Sequence, residues 1–329
     1  MTRRRKVVLF GLALLGVFVV LVATVPAVRA VVFPWREEAW QRFFRRGNVL
    51  DKRFYRDDGG AAVEFPSQGL TLRAGLYGGE PGERRPGVVL LPGSSVLGRR
   101  LAFARALARS LAERGYVVLA VDLAGFGDSD DPKDLGDAAR LDGVADAIAA
   151  VECLSRRDEA DPARLAIAGH SMGATIALHA AAADERIRAV AAIGPGRGVS
   201  EKIRHEDRYV ERFSSDRGLP DKVAWDVLRP ILLRHDVSST VPLFARPGHV
   251  PLLLVDGGLE RAEERAALRA AFEAMAEPKR YVTLDGADHY ANSAGLSTDG
   301  GVGFYDKGVM SALLDAIDAT FREGFERGR

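Results

Sequence analysis

A serine flanked by glycines, between a predicted strand and a predicted helix, is the feature that most constrains how this chain folds. The stretch 164–183 reads RLAIAGHSMGATIALHAAAA. Residues 165–168 are an apolar run of strand length, and the alanine-rich part after Gly173 has no further Gly or Pro and favours a helix. A side chain at Gly169 or Gly173 would collide as the chain turns sharply from strand into helix. The pattern therefore predicts a tight turn that holds the Ser171 hydroxyl out of the fold.

Buried strands and helices alternate along most of the chain around this turn. Short continuous apolar runs are typical of strands buried on both faces of a parallel sheet, and parallel strands need helical crossovers. Two further runs, 61–65 and 70–77, flank the turn signal Ser67-Gln68-Gly69 and predict a hairpin. The other predicted strands are 88–91, 116–121, 187–193, 251–256 and 280–284, and the predicted helices are 99–114, 138–157, 261–276 and 308–321. The pattern predicts an α/β fold with a mostly parallel, doubly wound sheet.

The alternation stops at Gly194-Pro195-Gly196 and resumes near residue 249. The stretch 197–248 contains mostly charged helical segments, Glu201–Phe213 and Asp221–Arg234, followed by a loop with proline. An insertion of this size between two core strands predicts a helical cap over the carboxyl ends of the sheet. We therefore expect a core formed by 61–196 and 249–329.

The first 60 residues differ from the rest. A basic cluster, Arg3 to Lys6, precedes nineteen residues without charge, Val7 to Val25. As a helix this run is about 28 Å long, close to the hydrocarbon thickness of a bilayer. We predict a single-pass signal anchor over 1–30, with the cytoplasmic N-terminus set by the positive-inside rule and the catalytic domain outside. The alternative is a cleaved signal and a secreted protein. Residues 31–60 form a predicted juxtamembrane segment.

Charge and cysteine content exclude other classes. Residues 1–50 carry nine Arg or Lys against two Glu, and because the whole chain has a net charge of +1, the remainder carries −6. A mildly acidic globular part gives no reason to expect a nucleic-acid partner. Cys153 is the only cysteine, so no disulfide forms within the chain. The oligomeric state is left open.

A serine nucleophile needs a histidine base and a carboxylate that orients it. His289 follows the predicted strand 280–284 directly, and in a parallel sheet that loop emerges at the same edge as Ser171. His170 lies inside the turn and points away from the serine oxygen, while His179 lies on the helix that follows. The remaining histidines are in or next to the insertion. His289 is therefore the predicted base.

These features together resemble the α/β-hydrolase superfamily over roughly residues 61–325. The motifs that carry the resemblance are Leu90-Leu91-Pro92-Gly93, Gly115-Tyr116-Val117-Val118, Asp122 to Ser129, Gly169 to Gly173 and Gly286 to His289. The order Ser, acid, His along the chain is the family's order. The resemblance implies that Ser171 is the nucleophile and His289 the general base.

The resemblance leaves the acid open. The family's usual pattern after the strand that ends in Leu254-Val255 falls on Glu260, where Asp is commoner. Asp256, on the strand end itself, is the rival, and a residue elsewhere, such as Glu201, is a third alternative. Either of the first two could instead be only a helix-capping or surface carboxylate.

The resemblance also implies an oxyanion hole of two backbone amides, those of Met172 and Ser94. The Met172 amide lies at the positive end of its helix. Pro92 departs from the His-Gly that the family more often has, but it leaves the backbone donor of Ser94 in place.

The predicted activity is that of a serine hydrolase, carboxylesterase-like or lipase-like, acting on a small acyl substrate without metal or cofactor. The aspartates between Asp122 and Asp131 are interpreted as a structural turn, because no histidine accompanies them. One alternative is an acyltransferase that uses the same triad. Another is a non-catalytic, membrane-tethered binding module on the same fold.

Overall fold

An eight-stranded sheet organises the part of the chain that the computed structural model describes, namely residues 14–20, 60–79, 82–95, 97–131, 142–197, 233–291 and 307–327. The strands are β1 (Ala61–Ser67), β2 (Leu70–Tyr77), β3 (Arg85–Leu91), β4 (Val117–Asp122), β5 (Ala160–His170), β6 (Ile187–Ile193), β7 (Leu252–Gly257) and β8 (Lys279–Leu284). Their order across the sheet is β1-β2-β4-β3-β5-β6-β7-β8.

The sheet is mostly parallel, as predicted. β1 and β2 form the predicted antiparallel hairpin, and β2 pairs antiparallel with β4. All pairs from β4 to β8 are parallel, so the carboxyl ends of these strands share one edge. The central strands are buried throughout their apolar runs, which explains why they lack a polar-apolar alternation.

Helices cover both faces of the sheet. They are α1 (Ala102–Glu113), α2 (Gly143–Ser155), α3 (Met172–Ala183), the short α4 (Val241–Phe244), α5 (Ala262–Ala274) and α6 (Lys307–Arg327). Helices α2, α3 and α5 contribute to the apolar core on one face, and α1 and α6 to the core on the other. The predicted doubly wound arrangement is confirmed.

Of the element boundaries that differ from the prediction, two have a clear structural cause. β5 begins at Ala160 rather than Leu165, because Ala160 and Asp161 pair with the start of β3 before the register shifts. The predicted helix from Arg99 begins as a helix only at Ala102 and is preceded by a 3-10 turn over Gly98–Arg100. In that turn the Arg99 backbone amide donates to Asp122 Oδ1 at 2.6 Å, which holds the turn onto the end of β4.

The two ends of the predicted cap meet at one point beside α3. The Val237 amide donates to the Gly196 carbonyl at 2.6 Å, and the Gly196 amide donates to Thr175 Oγ1 at 3.2 Å. Thr175 Oγ1 in turn donates to the His235 carbonyl at 3.1 Å. Residues 198–232, which include both predicted cap helices apart from Leu233 and Arg234, lie outside the described residues. In the part that follows, Val237 and Phe244 are buried in the core that α3 and α5 share.

The predicted membrane span lies outside the described residues except for 14–20, which are helical and exposed. Within the ranges that the structure describes, no helix is both long enough and apolar enough to cross a bilayer.

Candidate active site

The turn around Ser171 joins β5 to α3 and is strained. Ser171 has φ 56° and ψ −119°, which non-glycine residues adopt only where the surrounding structure holds them, at a cost of about 1–3 kcal/mol. Serine at the start of a helix usually caps a backbone amide, yet the Ser171 side chain makes no such hydrogen bond. Its hydroxyl is therefore left for another use.

The two glycines of the turn are required by close backbone contacts. A Cβ on Gly169 would lie 2.1 Å from the Gly173 carbonyl oxygen, and one on Gly173 would lie 2.4 Å from the Pro92 carbonyl oxygen. The first contact is within the turn. The second is between the start of α3 and the loop after β3, so the same glycine brings that loop to the serine.

The loop after β3 lies against Ser171. A Cβ on Gly93 would lie 3.2 Å from the Ser171 Cβ. The next residue, Ser94, is exposed. Met172 is the first residue of α3, so its amide has no acceptor within the helix. The predicted oxyanion residues thus flank the serine, and their role stays a prediction.

His289 lies in the loop after β8, beside the end of β6. A Cβ on Gly194 would be 3.0 Å from both Cε1 and Nδ1 of the His289 ring, and the preceding residue, Ile193, accepts a hydrogen bond from the Ser171 amide at 2.9 Å. The serine and the histidine are therefore both at the end of β6. The structure does not join the Ser171 hydroxyl and the His289 ring by a hydrogen bond. In enzymes without substrate, such bonds are often long.

Glu260 contacts His289 directly. Its Oε1 is 2.7 Å from His289 Nδ1, and its Oε2 accepts from the Gly257 amide at 3.1 Å and pairs with Arg197. Burial raises the pKa of Glu260, but the His289 hydrogen bond and the Arg197 charge outweigh this effect and lower the pKa to about 2. The carboxylate is therefore ionised at neutral pH and can hold the Nδ1 proton of His289.

The rival carboxylate has other partners. Asp256, at the end of β7, is buried, and its Oδ2 accepts from the Tyr281 hydroxyl at 2.7 Å and from Arg265 Nε at 3.2 Å. Its other oxygen is buried without a hydrogen-bond partner. Of the two candidate acids, the structure brings Glu260 and not Asp256 to His289. The third alternative, Glu201, lies outside the described residues.

Two residues that the sequence analysis gave no role belong to this site. Arg197 is 3% exposed and pairs with Glu260. His170 is fully buried, and its Nε2 lies 2.8 Å from the His289 carbonyl oxygen, to which it must donate. Burial, followed by the charge of His289, lowers the pKa of His170 to about 3, so its ring is neutral. His170, the residue directly before Ser171, is therefore hydrogen-bonded to the backbone of His289.

The described residues contain no cluster of three or more His, Cys, Asp or Glu that could hold a metal ion. Asp122 instead pairs with Arg99 and accepts from the Asp128 amide at 2.9 Å. These contacts fit the structural turn that the sequence predicts there.

The arrangement has the parts of a proton relay that ends at a strained serine. An ionised, buried carboxylate holds one ring nitrogen of His289, and the ring is 33% exposed at the sheet edge that carries Ser171. Two loops with backbone amides flank the serine. Groups so arranged can activate a hydroxyl as a nucleophile.

Known proteins share this fold. A sequence profile of the alpha/beta hydrolase fold matches residues 88–230. An uncharacterised protein of Mycobacterium tuberculosis is 27% identical over 277 residues, covering 82% of this chain and 87% of that protein. A polyketide transferase of Stachybotrys chlorohalonatus is 38% identical over 135 residues, covering 40% of this chain and 43% of that protein.

A solved structure gives the same result. Est1E from Butyrivibrio proteoclasticus, with ferulic acid bound, superposes with a TM-score of 0.58 at 19% identity, covering 80% of this chain and 99% of that one. Likeness at this identity concerns the fold. With the strand order and the serine turn, the matches show an α/β-hydrolase fold and support membership of the α/β-hydrolase superfamily.

Proposed function

We propose that this protein is a serine hydrolase that cleaves an ester, thioester or amide through an acyl-enzyme. The observation that carries the proposal is the hydrogen bond of 2.7 Å between Glu260 and His289, at the sheet edge that also carries the strained Ser171. A buried carboxylate, an imidazole and a serine, which follow β7, β8 and β5, are the groups that acyl transfer needs.

In the first step, the Ser171 Oγ attacks the substrate carbonyl carbon while His289 Nε2 takes the hydroxyl proton. Glu260 holds Nδ1–H, which fixes the tautomer and stabilises the imidazolium. The carbonyl oxygen becomes an oxyanion, for which the amides of Met172 and Ser94 are the proposed donors. The C–O, C–S or C–N bond then breaks, the leaving group takes the proton from His289, and the acyl group stays on Ser171.

In the second step, water replaces the leaving group. His289 takes a proton from the water, whose oxygen attacks the acyl carbon, and the bond to the Ser171 Oγ breaks. The serine oxygen recovers the proton from His289. The products are the free acid and the unchanged enzyme.

The proposal is tested by replacing the nucleophile. We expect the full chain to hydrolyse a short p-nitrophenyl ester and to be labelled by a fluorophosphonate, and Ser171→Ala to lose both. Ser155→Ala is the matched control, because that hydroxyl only donates to the Glu152 carbonyl at the end of α2. Labelling that survives in Ser171→Ala would overturn the proposal. No labelling of the unmodified chain by any serine-directed probe would instead favour a non-catalytic binding module.

A second candidate uses the same groups but delivers the acyl group to an alcohol or amine instead of water. The observation in its favour is the similarity of part of the chain to a polyketide transferase. Product analysis with alcohol and amine acceptors present separates the two. A transferase yields the new ester or amide in excess over the free acid, and a hydrolase yields the acid.

We also propose that residues 7–25 anchor the protein in a membrane, with the catalytic domain outside. Two observations support this proposal. The uncharged run follows a basic cluster, and the apolar side chains of 14–20 that the structure describes are exposed.

A further inference from the structure

Arg197 is the first residue of the predicted insertion, directly after the core segment that ends at Gly196. It follows β6 through Gly194-Pro195-Gly196, and its side chain is 3% exposed. Its Nη1 donates to the Pro195 carbonyl at 3.1 Å, and its Nη2 pairs with Glu260. Arginine stays charged at all ordinary pH values, and a buried charge is costly unless it is paired. A buried arginine beside the acid of the proposed triad therefore needs a reason.

The contacts of Glu260 supply one. Its two oxygens have separate partners: Oε1 faces His289 at 2.7 Å, while Oε2 is held by the Gly257 amide at 3.1 Å and by Arg197. A glutamate has one more rotatable bond than an aspartate and needs more support to keep one oxygen in place. The backbone amide gives a single fixed point, and the guanidinium gives the second.

We propose that Arg197 is a positioning residue of the active site, which holds Oε2 of Glu260 so that Oε1 stays directed at His289. The proposal rests on the proposed function, because it gives Arg197 its role through the triad. Arg197 does not touch the reacting atoms. Through its contact with Glu260 it raises kcat, and it leaves substrate affinity nearly unchanged.

The charge of Arg197 has a second effect. A cation beside Glu260 offsets part of the negative charge that faces His289. Removing the cation leaves the full carboxylate charge facing that ring. The acid limb of the rate profile should then move to higher pH.

Other titratable groups lie around the pair, and the charge of Arg197 also lowers the pKa of two of them, His170 and Tyr281. His170 from β5 is neutral, and Asp256 from β7 is held by Tyr281 and by Arg265 of α5. The loop of His289 itself adds Asp285, Asp288 and Tyr290. A shift of the pH–rate profile is therefore assigned to Arg197 when it appears in an Arg197 variant and not in a control variant of another ion-paired arginine.

The test compares Arg197→Met, Arg197→Lys and Arg186→Met in the full chain, with kcat and KM for a p-nitrophenyl ester measured from pH 5 to 9. Arg186 lies before the opposite end of β6 and is also ion-paired, with Glu152 and Asp184. For Arg197→Met we expect kcat to fall at least about tenfold with KM within about twofold, and the acid limb of kcat/KM to rise by about one pH unit. Arg197→Lys, which keeps the charge, should restore the profile, and Arg186→Met should match the unmodified protein.

Two results overturn the proposal. One is an unmoved pH profile in Arg197→Met, and the other is a shift of equal size in Arg186→Met. These results differ from failure of the proposed function, in which the unmodified chain itself neither turns over the ester nor reacts with a fluorophosphonate. If Arg197→Met does not fold, Arg197→Gln is measured in its place with the same two criteria.

Discussion

His170 should make the protein lose stability in mild acid. Its ring is fully buried between Phe103, His289 and Tyr290, with centroid distances of 4.9, 4.8 and 5.1 Å. Its Nε2 donates to the His289 carbonyl, and its Nδ1 is buried without a partner. The folded state therefore resists protonation of this ring, while the unfolded chain does not.

The size of the effect follows from the two pKa values. The pKa of His170 is 6.5 in a free chain and about 3 in the fold. Because the unfolded state binds the proton more readily, stability is full above pH 6.5 and falls as the pH drops from there towards 3. At pH 5 the pKa difference of His170 shifts the folding equilibrium towards the unfolded state by a factor of about 30. This lowers the free energy of unfolding by about 2 kcal/mol. Glu260 adds little in this range, because its pKa goes from 4.5 to about 2, and its stabilisation is lost only below pH 4.5.

The assay is urea unfolding of the full chain and of His170→Gln at pH 7.5 and pH 5.0. Glutamine keeps a donor for the His289 carbonyl and does not titrate. We expect the drop in unfolding free energy between the two pH values to be smaller by about 2 kcal/mol in the variant. His179, whose pKa is also lowered by burial, is present in both proteins and cancels. Equal drops in the two proteins would refute the reasoning, as would a His170 ring that titrates near pH 6 by NMR.

Two further predictions concern the acid and the membrane. Glu260→Gln should lower kcat by about 10⁴-fold, because the tautomer of His289 is lost, whereas Asp256→Asn should lower it by less than about tenfold. Ester hydrolysis by the two variants decides this, and the reverse order would make Asp256 the acid. The full chain should remain in the membrane pellet after an alkaline carbonate wash, and Val17→Arg, at a cost of about 2.5–3.5 kcal/mol for a charge inside the bilayer, should move it towards the supernatant. Recovery of the unmodified chain in the supernatant would contradict the anchor.

The sheet could be predicted because its strands are mostly short apolar runs. A helix at the surface of a soluble protein has a polar face and does not show such a run. The structure confirms the predicted strand Ile187–Ile193, in which every residue except the half-buried Arg188 is buried. The start of β5 was missed, because Asp161-Pro162 gives a turn signal at a place where Ala160 and Asp161 nevertheless pair with β3. Local signals cannot anticipate a pairing that a neighbouring strand imposes.

In the active site, the residues found from sequence were those tied to a motif. Ser171, His289 and Glu260 each follow a core strand, and their catalytic roles stay a prediction. Arg197 was missed because it opens a charged stretch and resembles a surface residue, although its partner is 63 residues further along the chain. The one available signal was its position just after a core strand, at the edge where His289 and Ser171 were already expected.

The hydrogen bonds that join Gly196 to Val237 and Thr175 to His235 have a consequence for how such proteins diversify. They close the chain on itself at the base of the insertion, so its two ends stay fixed whatever lies between them. Lengthening a closed loop costs only about 0.6 kcal/mol for each doubling. Segments of other lengths and compositions can thus be exchanged between Arg197 and His235 while Ser171, His289 and Glu260 keep their places. The inserted segment can therefore vary separately from the proposed triad, and grafting segments between relatives at these two points is a direct test of whether this segment sets substrate choice.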